Sequence, residues 1–176
     1  MTAFVRTWLA DIHVMSYGPL PEGADEWLTD LEEHADVQQA LIFADWLEDN
    51  GHAGCEAVRL HAHDFDRTMR DYALDASLTA VARETRTARH VVQELYRSRD
   101  AIPDIEFIRS VCELARDCHQ DARLVLKVLR FPRSIDPFLR QAAIGQRVEE
   151  RFRSLSVILQ QGRQTTDRQG DVPKRE

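Results

Sequence analysis

Leu41-Ile42-Phe43-Ala44-Asp45-Trp46-Leu47-Glu48-Asp49-Asn50-Gly51, followed by Glu56-Ala57-Val58-Arg59-Leu60, decides the fold of this chain. The first run belongs to a helix predicted over 37–50. At ~100° per residue, Val37, Ala40, Ile42, Phe43, Ala44, Trp46 and Leu47 sweep an apolar arc of roughly 220°. Gln38, Asp45, Glu48 and Asp49 mark a narrow polar strip, with Leu41 inside it. An arc that wide predicts a central, mostly buried helix. Asp36 followed by Gln39 is a capping-box pattern, and Asn50-Gly51 offers the left-handed stop. A return helix over about 54–70, with Ala57, Val58, Leu60 and Phe65 as apolar contacts, closes a hairpin over 37–70. Asp45 and Arg59 are equidistant from His52, so an antiparallel hairpin pairs them, partly buried by Trp46. The alternative is that both stay exposed, where such pairs contribute only ~0–1 kcal/mol.

Outward from the hairpin, helical spacing continues. A first helix covers 3–16 and stops at Ser16-Tyr17-Gly18-Pro19-Leu20-Pro21; a second covers 24–35, with Trp27, Leu28 and Leu31 inside. Asp75 caps a long helix over 76–97, whose seam is Leu78, Val81, Thr85, Ala88, Val92 and Leu95. A break over 100–103 puts Pro103 at the first turn of a helix over 105–118, carrying Ile105, Ile108, Val111, Cys112 and Ala115. A short apolar helix over 121–131 (Leu124, Val125, Val128, Leu129) ends at Pro132. Asp136-Pro137 opens the last helix, whose seam is Phe138, Ala142, Gly145, Val148, Phe152, Leu155 and Leu159, and Gly162 ends it. From Arg163 the tail is polar and aperiodic, and reads as disordered. The expected fold is all-α: a bundle of about seven helices around a central hairpin. Residues 1–72 form an acidic region holding the hairpin, 73–162 a long-helix region separate from it or continuous with it, and 163–176 the tail.

Composition agrees with a globular helical chain: of 176 residues, 43% are hydrophobic and 30% charged. Cys55, Cys112 and Cys118 are an odd number without framework spacing, which points to reduced thiols in a cytoplasm. Near the N-terminus, Arg6, Asp11 and His13 interrupt the apolar residues, and no run approaches the ~18 that a membrane span needs. The expected location is cytoplasmic, with no membrane partner. The net charge of −7 hides an asymmetry. Residues 22–75 carry 15 acids and 3 bases, whereas 76–176 carry 14 acids and 19 bases. Opposite signs predict attraction within the molecule or between copies, or an acidic partner for the basic half. Arginine outnumbers lysine 21 to 2. Codon bias explains that skew more simply than selection for anion contacts.

The sequence offers no catalytic, metal or cofactor-binding residues. His61-Ala62-His63-Asp64 has the composition of a hydrolase metal string, but on a helix His61 and His63 point ~200° apart. Cys112 and Cys118 lie ~240° apart on a helix, with His119 next in chain, and read as structural. There is no nucleophile elbow, phosphate loop or dinucleotide fingerprint, and Glu32-Glu33 and Glu149-Glu150 are solvated faces. The hairpin has helix-turn-helix proportions, yet Asp45, Glu48, Asp49, Glu56, Asp64 and Asp66 would repel phosphates. The candidate partner-binding face is basic instead: Arg83, Arg86, His90 and Arg97, aligned along the 76–97 helix.

The hairpin resembles the repeat-companion domain of bacteria, whose pattern is an apolar triplet, Ala-Asp-Trp-Leu-Glu, a Gly turn, and Glu-Phe-Ile-Arg-Leu. Ala44, Asp45, Trp46, Leu47, Glu48, Gly51, Glu56, Arg59 and Leu60 carry the match, which covers about residues 25–62 and includes Trp27, Leu28 and Leu31 upstream. Ala57-Val58 stands for the bulkier Phe-Ile, and His34-Ala35-Asp36 for an acidic turn that often contains Pro. The resemblance implies a small helical module without catalytic residues. The expected function is a non-enzymatic protein–protein interaction or accessory module, its partner another protein or a second copy as a homodimer. A nucleic-acid-associated regulator using the basic face comes second, and an enzyme with an unrecognised site third.

Overall fold

The structure, a computed structural model, describes residues 3–98, 105–141 and 146–169. They form an all-α multi-helix bundle, with no strand among the described residues. By their contacts the residues group into Met1–Ala76 and Ser77–Glu176.

In the first unit, α1 (Ala3–Asp11) ends earlier than its apolar run suggests. His13 takes the left-handed φ of 63°, and the chain tightens into a 3-10 turn over Val14–Tyr17. Helix α2 (Ala24–Glu33) follows, then α3 (Val37–Asp49), where the Asp36 carboxylate accepts the Gln39 N–H at 2.8 Å. After the Gly51 turn (φ 70°) comes α4 (Cys55–His61). Val5, Trp8, Leu9, Leu28, Leu31, Phe43, Leu47, Val58 and Phe65 meet in one core. Each such side chain contributes about 1.5–3 kcal/mol by leaving water. The Trp8 and Phe65 rings lie 4.4 Å apart at its centre.

Helix α3 is less buried than its apolar arc predicts. Ala40, Phe43, Ala44 and Leu47 are fully enclosed, but Val37 (37%) and Ile42 (39%) of the arc remain exposed, and Leu41 (41%) is exposed in the polar strip as expected. Burial follows the neighbours, and α3 packs on α2, α4 and the turn after α4, which together cover one side of the arc.

The return helix is also not continuous. It breaks into α4 and a 3-10 turn, Ala62–Asp64, before α5 (Phe65–Thr85) begins. Helix α5 therefore passes straight through Asp75, which lies in its interior and not at its start. The expected 76–97 helix is cut at Arg86, with α6 running Arg89–Arg97. The stop is a Schellman motif: Thr87 N–H reaches back to the Ala82 carbonyl at 3.0 Å, with Arg86 left-handed at φ 56°. Of the expected seam, Leu78, Val81, Thr85, Val92 and Leu95 are buried, whereas Ala88 is exposed in the break.

The second unit continues with α7 (Ile105–Asp117), α8 (Ala122–Arg130), a 3-10 turn over Pro132–Ser134, α9 (Ile135–Gln141) and α10 (Gln146–Gln169). Helix α7 packs on α6, α8 and α10. Another Schellman motif ends α7, with His119 left-handed at φ 52° and Gln120 N–H on the Ala115 carbonyl at 2.9 Å. Asp121 caps α8 by accepting the Arg123 N–H at 2.8 Å. Within α8, Val125, Val128 and Leu129 are buried, but Leu124 faces outward.

Of the expected last helix, α9 and α10 are described, and Pro137 sits in the first turn of α9, where its missing N–H is tolerated. Ala142 and Gly145 of its seam lie outside the described residues, as do Asp100 and Pro103. Phe138 meets Phe152 at 5.4 Å, and Phe152, Leu155 and Leu159 are buried. Gly162 does not end α10, which continues to Gln169. Interior glycine weakens a helix by about 1 kcal/mol without forcing a stop. Residues 170–176 lie outside the described residues.

Candidate functional site

The nine hairpin signature residues divide into three jobs. Ala44 and Leu47 are core. Trp46, half-buried, joins an aromatic cluster with Trp27 (5.6 Å) and Phe43 (5.7 Å, stacked), and Gly51 supplies the left-handed turn.

The second job is an ionic lock. Arg59 on α4 reaches Asp45 of α3 at 2.7 Å and Glu56 at 2.8 Å, and also bonds Glu48. Asp45 and Arg59 do meet, and two further carboxylates join them. Arg59 is 28% exposed and its three acids more so, so water screens much of the attraction. The three carboxylates push the Arg59 pKa up, Glu48 first.

Leu60 has the third job, because it points away from the protein. Sequence reasoning placed it in the core, yet it is 68% exposed, more than any other large apolar side chain among the described residues. The buried face of α4 is Cys55, Val58 and Ala62, continued by Phe65. Those spacings of three and four were the legible signal, and Leu60 falls on the opposite side of the wheel. Leu41, also exposed, lies one turn before Asp45 on α3, and Leu60 follows Arg59 on α4. Asp49 and Ile42 extend the same outward face of α3.

His52, used above only as a midpoint, has a structural part. It is buried, its Nδ1 accepts the Gly54 N–H at 3.1 Å, and its Nε2 faces the Gly18 carbonyl at 3.4 Å. It thereby ties the hairpin turn to the segment after α1.

Arg83, Arg86, His90 and Arg97 are all exposed, but they do not share one helix. Arg83 is on α5, Arg86 in the left-handed turn, and His90 and Arg97 on α6. The common face needed an unbroken 76–97 helix.

His61 and His63 are exposed, and His63 lies 3.3 Å from Asp64. No group of three or more His, Cys, Asp or Glu among the described residues is gathered to hold a metal ion. In the second unit, Cys112 and His119 line one cleft of about 380 Å³ with Thr85, Thr87, Arg86 and Arg116. That pairing invites a thiol nucleophile, but burial pushes the Cys112 pKa up. A thiol kept protonated is a poor nucleophile. Among the described residues no helix is long and apolar enough to cross a membrane. No protein-family model matches the chain, and neither a curated protein nor a solved structure matches it.

Proposed function

We propose that this chain is a non-enzymatic interaction module of the cytoplasm, binding another protein through the outward face of the α3–α4 hairpin. The observation that carries this reading is the exposure of Leu60, flanked by the Arg59 lock and accompanied by Leu41 and Ile42. Scattered apolar residues are ordinary on a surface. A leucine this open beside an ionic cluster, with Leu41 and Ile42 exposed on the neighbouring helix, is the apolar surface this reading gives to a partner. The resemblance of residues 25–62 to the repeat-companion domain, which carries no catalytic residues, supports the same reading. Three unpaired thiols are stable in a reducing compartment.

The test is a photo-crosslinking residue placed at position 60 of the full chain, with position 124, another exposed leucine, as the control. Irradiation in extracts of the source organism is expected to give one discrete protein adduct from position 60, lost on Leu41→Ser. Adducts no more discrete than those from position 124 would overturn the reading.

A further inference from the structure

The surroundings of Leu60 narrow the chemistry of its partner. Asp45, Glu48, Asp49 and Glu56 are exposed on the same two helices as the apolar residues, and Arg59 is the one cation among them. Arg59 is already shared by three carboxylates, so its donors are directed inward to the lock. Each carboxylate still has oxygen lone pairs open to solvent. The patch therefore presents leucine and isoleucine within a net negative rim, inside a segment, 22–75, with 15 acids against 3 bases. A phosphate backbone or an anionic lipid surface would be repelled by such a field.

The fold also restricts the shape of the partner. An extended peptide binds most readily by adding a strand to an open sheet edge, and the described residues contain no strand. Among the recurring recognition modes, the one that pairs exposed apolar residues on a helical surface with flanking charges is helix against helix. There, apolar residues at i, i+3, i+4 and i+7 meet the exposed leucines, and flanking charges meet the rim. We propose that the partner docks through a basic amphipathic helix, its apolar stripe on Leu41, Ile42 and Leu60 and its arginines or lysines on Asp45, Glu48 and Glu56. This rests on the interaction reading above and adds the chemistry of the occupant. Arginine is the better match, because its planar fork fits carboxylates that already splay around a guanidinium.

The experiment uses the full chain and two synthetic helices. One carries leucines at i, i+3, i+4 and i+7 flanked by arginines; the other replaces every arginine with glutamate. Fluorescence anisotropy is expected to show binding of the arginine peptide alone, weakened about tenfold or more by molar salt. Leu60→Ser is expected to remove that binding and Glu56→Gln to weaken it severalfold. Unchanged circular dichroism would show that both variants remain folded. Equal binding of the two peptides would overturn the proposal. So would arginine-peptide binding indifferent to Leu60→Ser, since that is charge attraction without an anchor. Sedimentation of the chain alone supplies a third arm: a dimer abolished by Leu60→Ser would make a second copy the occupant and overturn it as well. A discrete crosslink from position 60 with no preference for the arginine peptide would sink the basic helix and leave the interaction reading standing. Absence of that crosslink would sink both.

Discussion

Gly54→Ala tests how tightly the hairpin is seated on the first helix. Gly54 has an ordinary right-handed backbone, φ −74° and ψ −5°, so alanine meets no conformational objection. In the unfolded chain alanine is the stiffer residue, which by itself stabilises the fold by about 0.4–1 kcal/mol. Space decides against it. An added Cβ would lie 2.8 Å from Val14 Cγ1 and 2.9 Å from both Cε1 and Nδ1 of His52. Val14 is fully buried, and swinging the His52 ring aside would break its bonds to Gly54 N–H and the Gly18 carbonyl. Overpacking of this kind destabilises by about 1–3 kcal/mol, leaving a net loss centred on ~1.3 kcal/mol (range about 0–2.6 kcal/mol) once the entropic gain is subtracted. Trp8, Trp27 and Trp46 are the chain's three tryptophans and all lie in Met1–Ala76. Their fluorescence therefore reports the affected unit. With a urea slope of about 1–2 kcal/mol/M, the midpoint should fall by roughly 1 M. Val14→Ala in the same background should recover part of the loss, giving a coupling above about 0.5 kcal/mol. A Gly54→Ala midpoint at or above the parent's, or a cycle additive within about 0.3 kcal/mol, would refute the packing argument.

Two further predictions concern titratable groups. Tyr72 donates to Asp11, and burial, aided by that acceptor, pushes its pKa up to about 12 from 10.0. The folded state thus keeps a proton that the unfolded state releases, so the stabilisation is whole below pH 10 and is lost as pH rises toward 12. Fluorescence-monitored stability should fall more steeply across that window in the parent than in Tyr72→Phe; equal slopes would disprove it. Of the three thiols, Cys55 and Cys112 are buried and Cys118 is half-buried. Native alkylation followed by mass spectrometry should modify Cys118 first, although slowly, because burial pushes its pKa up too. Labelling of Cys112 at the same rate would mean that the cleft beside it opens.

Helix content was legible because Leu, Ala, Arg and Glu at spacings of three and four leave little else to form. Helix ends were legible only where a side chain advertises them. Asp36 caps α3, and Gly51 supplies a left-handed turn that glycine enters freely; Asp121, which caps α8, was an equally available signal that went unread. Arg86 and His119 make the same Schellman turn without glycine, at a penalty of about 1–2 kcal/mol each that the packing behind them must offset. Nothing in the residue itself announces such a stop, so α5 and α6 read as one helix and four cations read as one face. Asp75 misled in the opposite sense, since a capping residue acts only where a helix begins. For the hairpin, symmetry about His52 located the Arg59–Asp45 pair. Applied to positions 48 and 56, it would have placed Glu48 and Glu56 on either side of it. Leu60 was misplaced because hydrophobicity was weighed ahead of period.

The Val14–Gly54 contact has a consequence for how such a hairpin can be moved between proteins. Residues 25–62 bring their own turn, lock and aromatic cluster, yet the core they close is finished by Val5, Trp8, Leu9 and Val14 from upstream and Phe65 and Met69 from downstream. Cut out at the edges of the recognisable pattern, the segment would expose leucines and a phenylalanine that have no other cover. A transplant that works must carry both flanks, from about residue 3 to residue 72. In this chain the unit of inheritance is longer than the motif by which it is noticed.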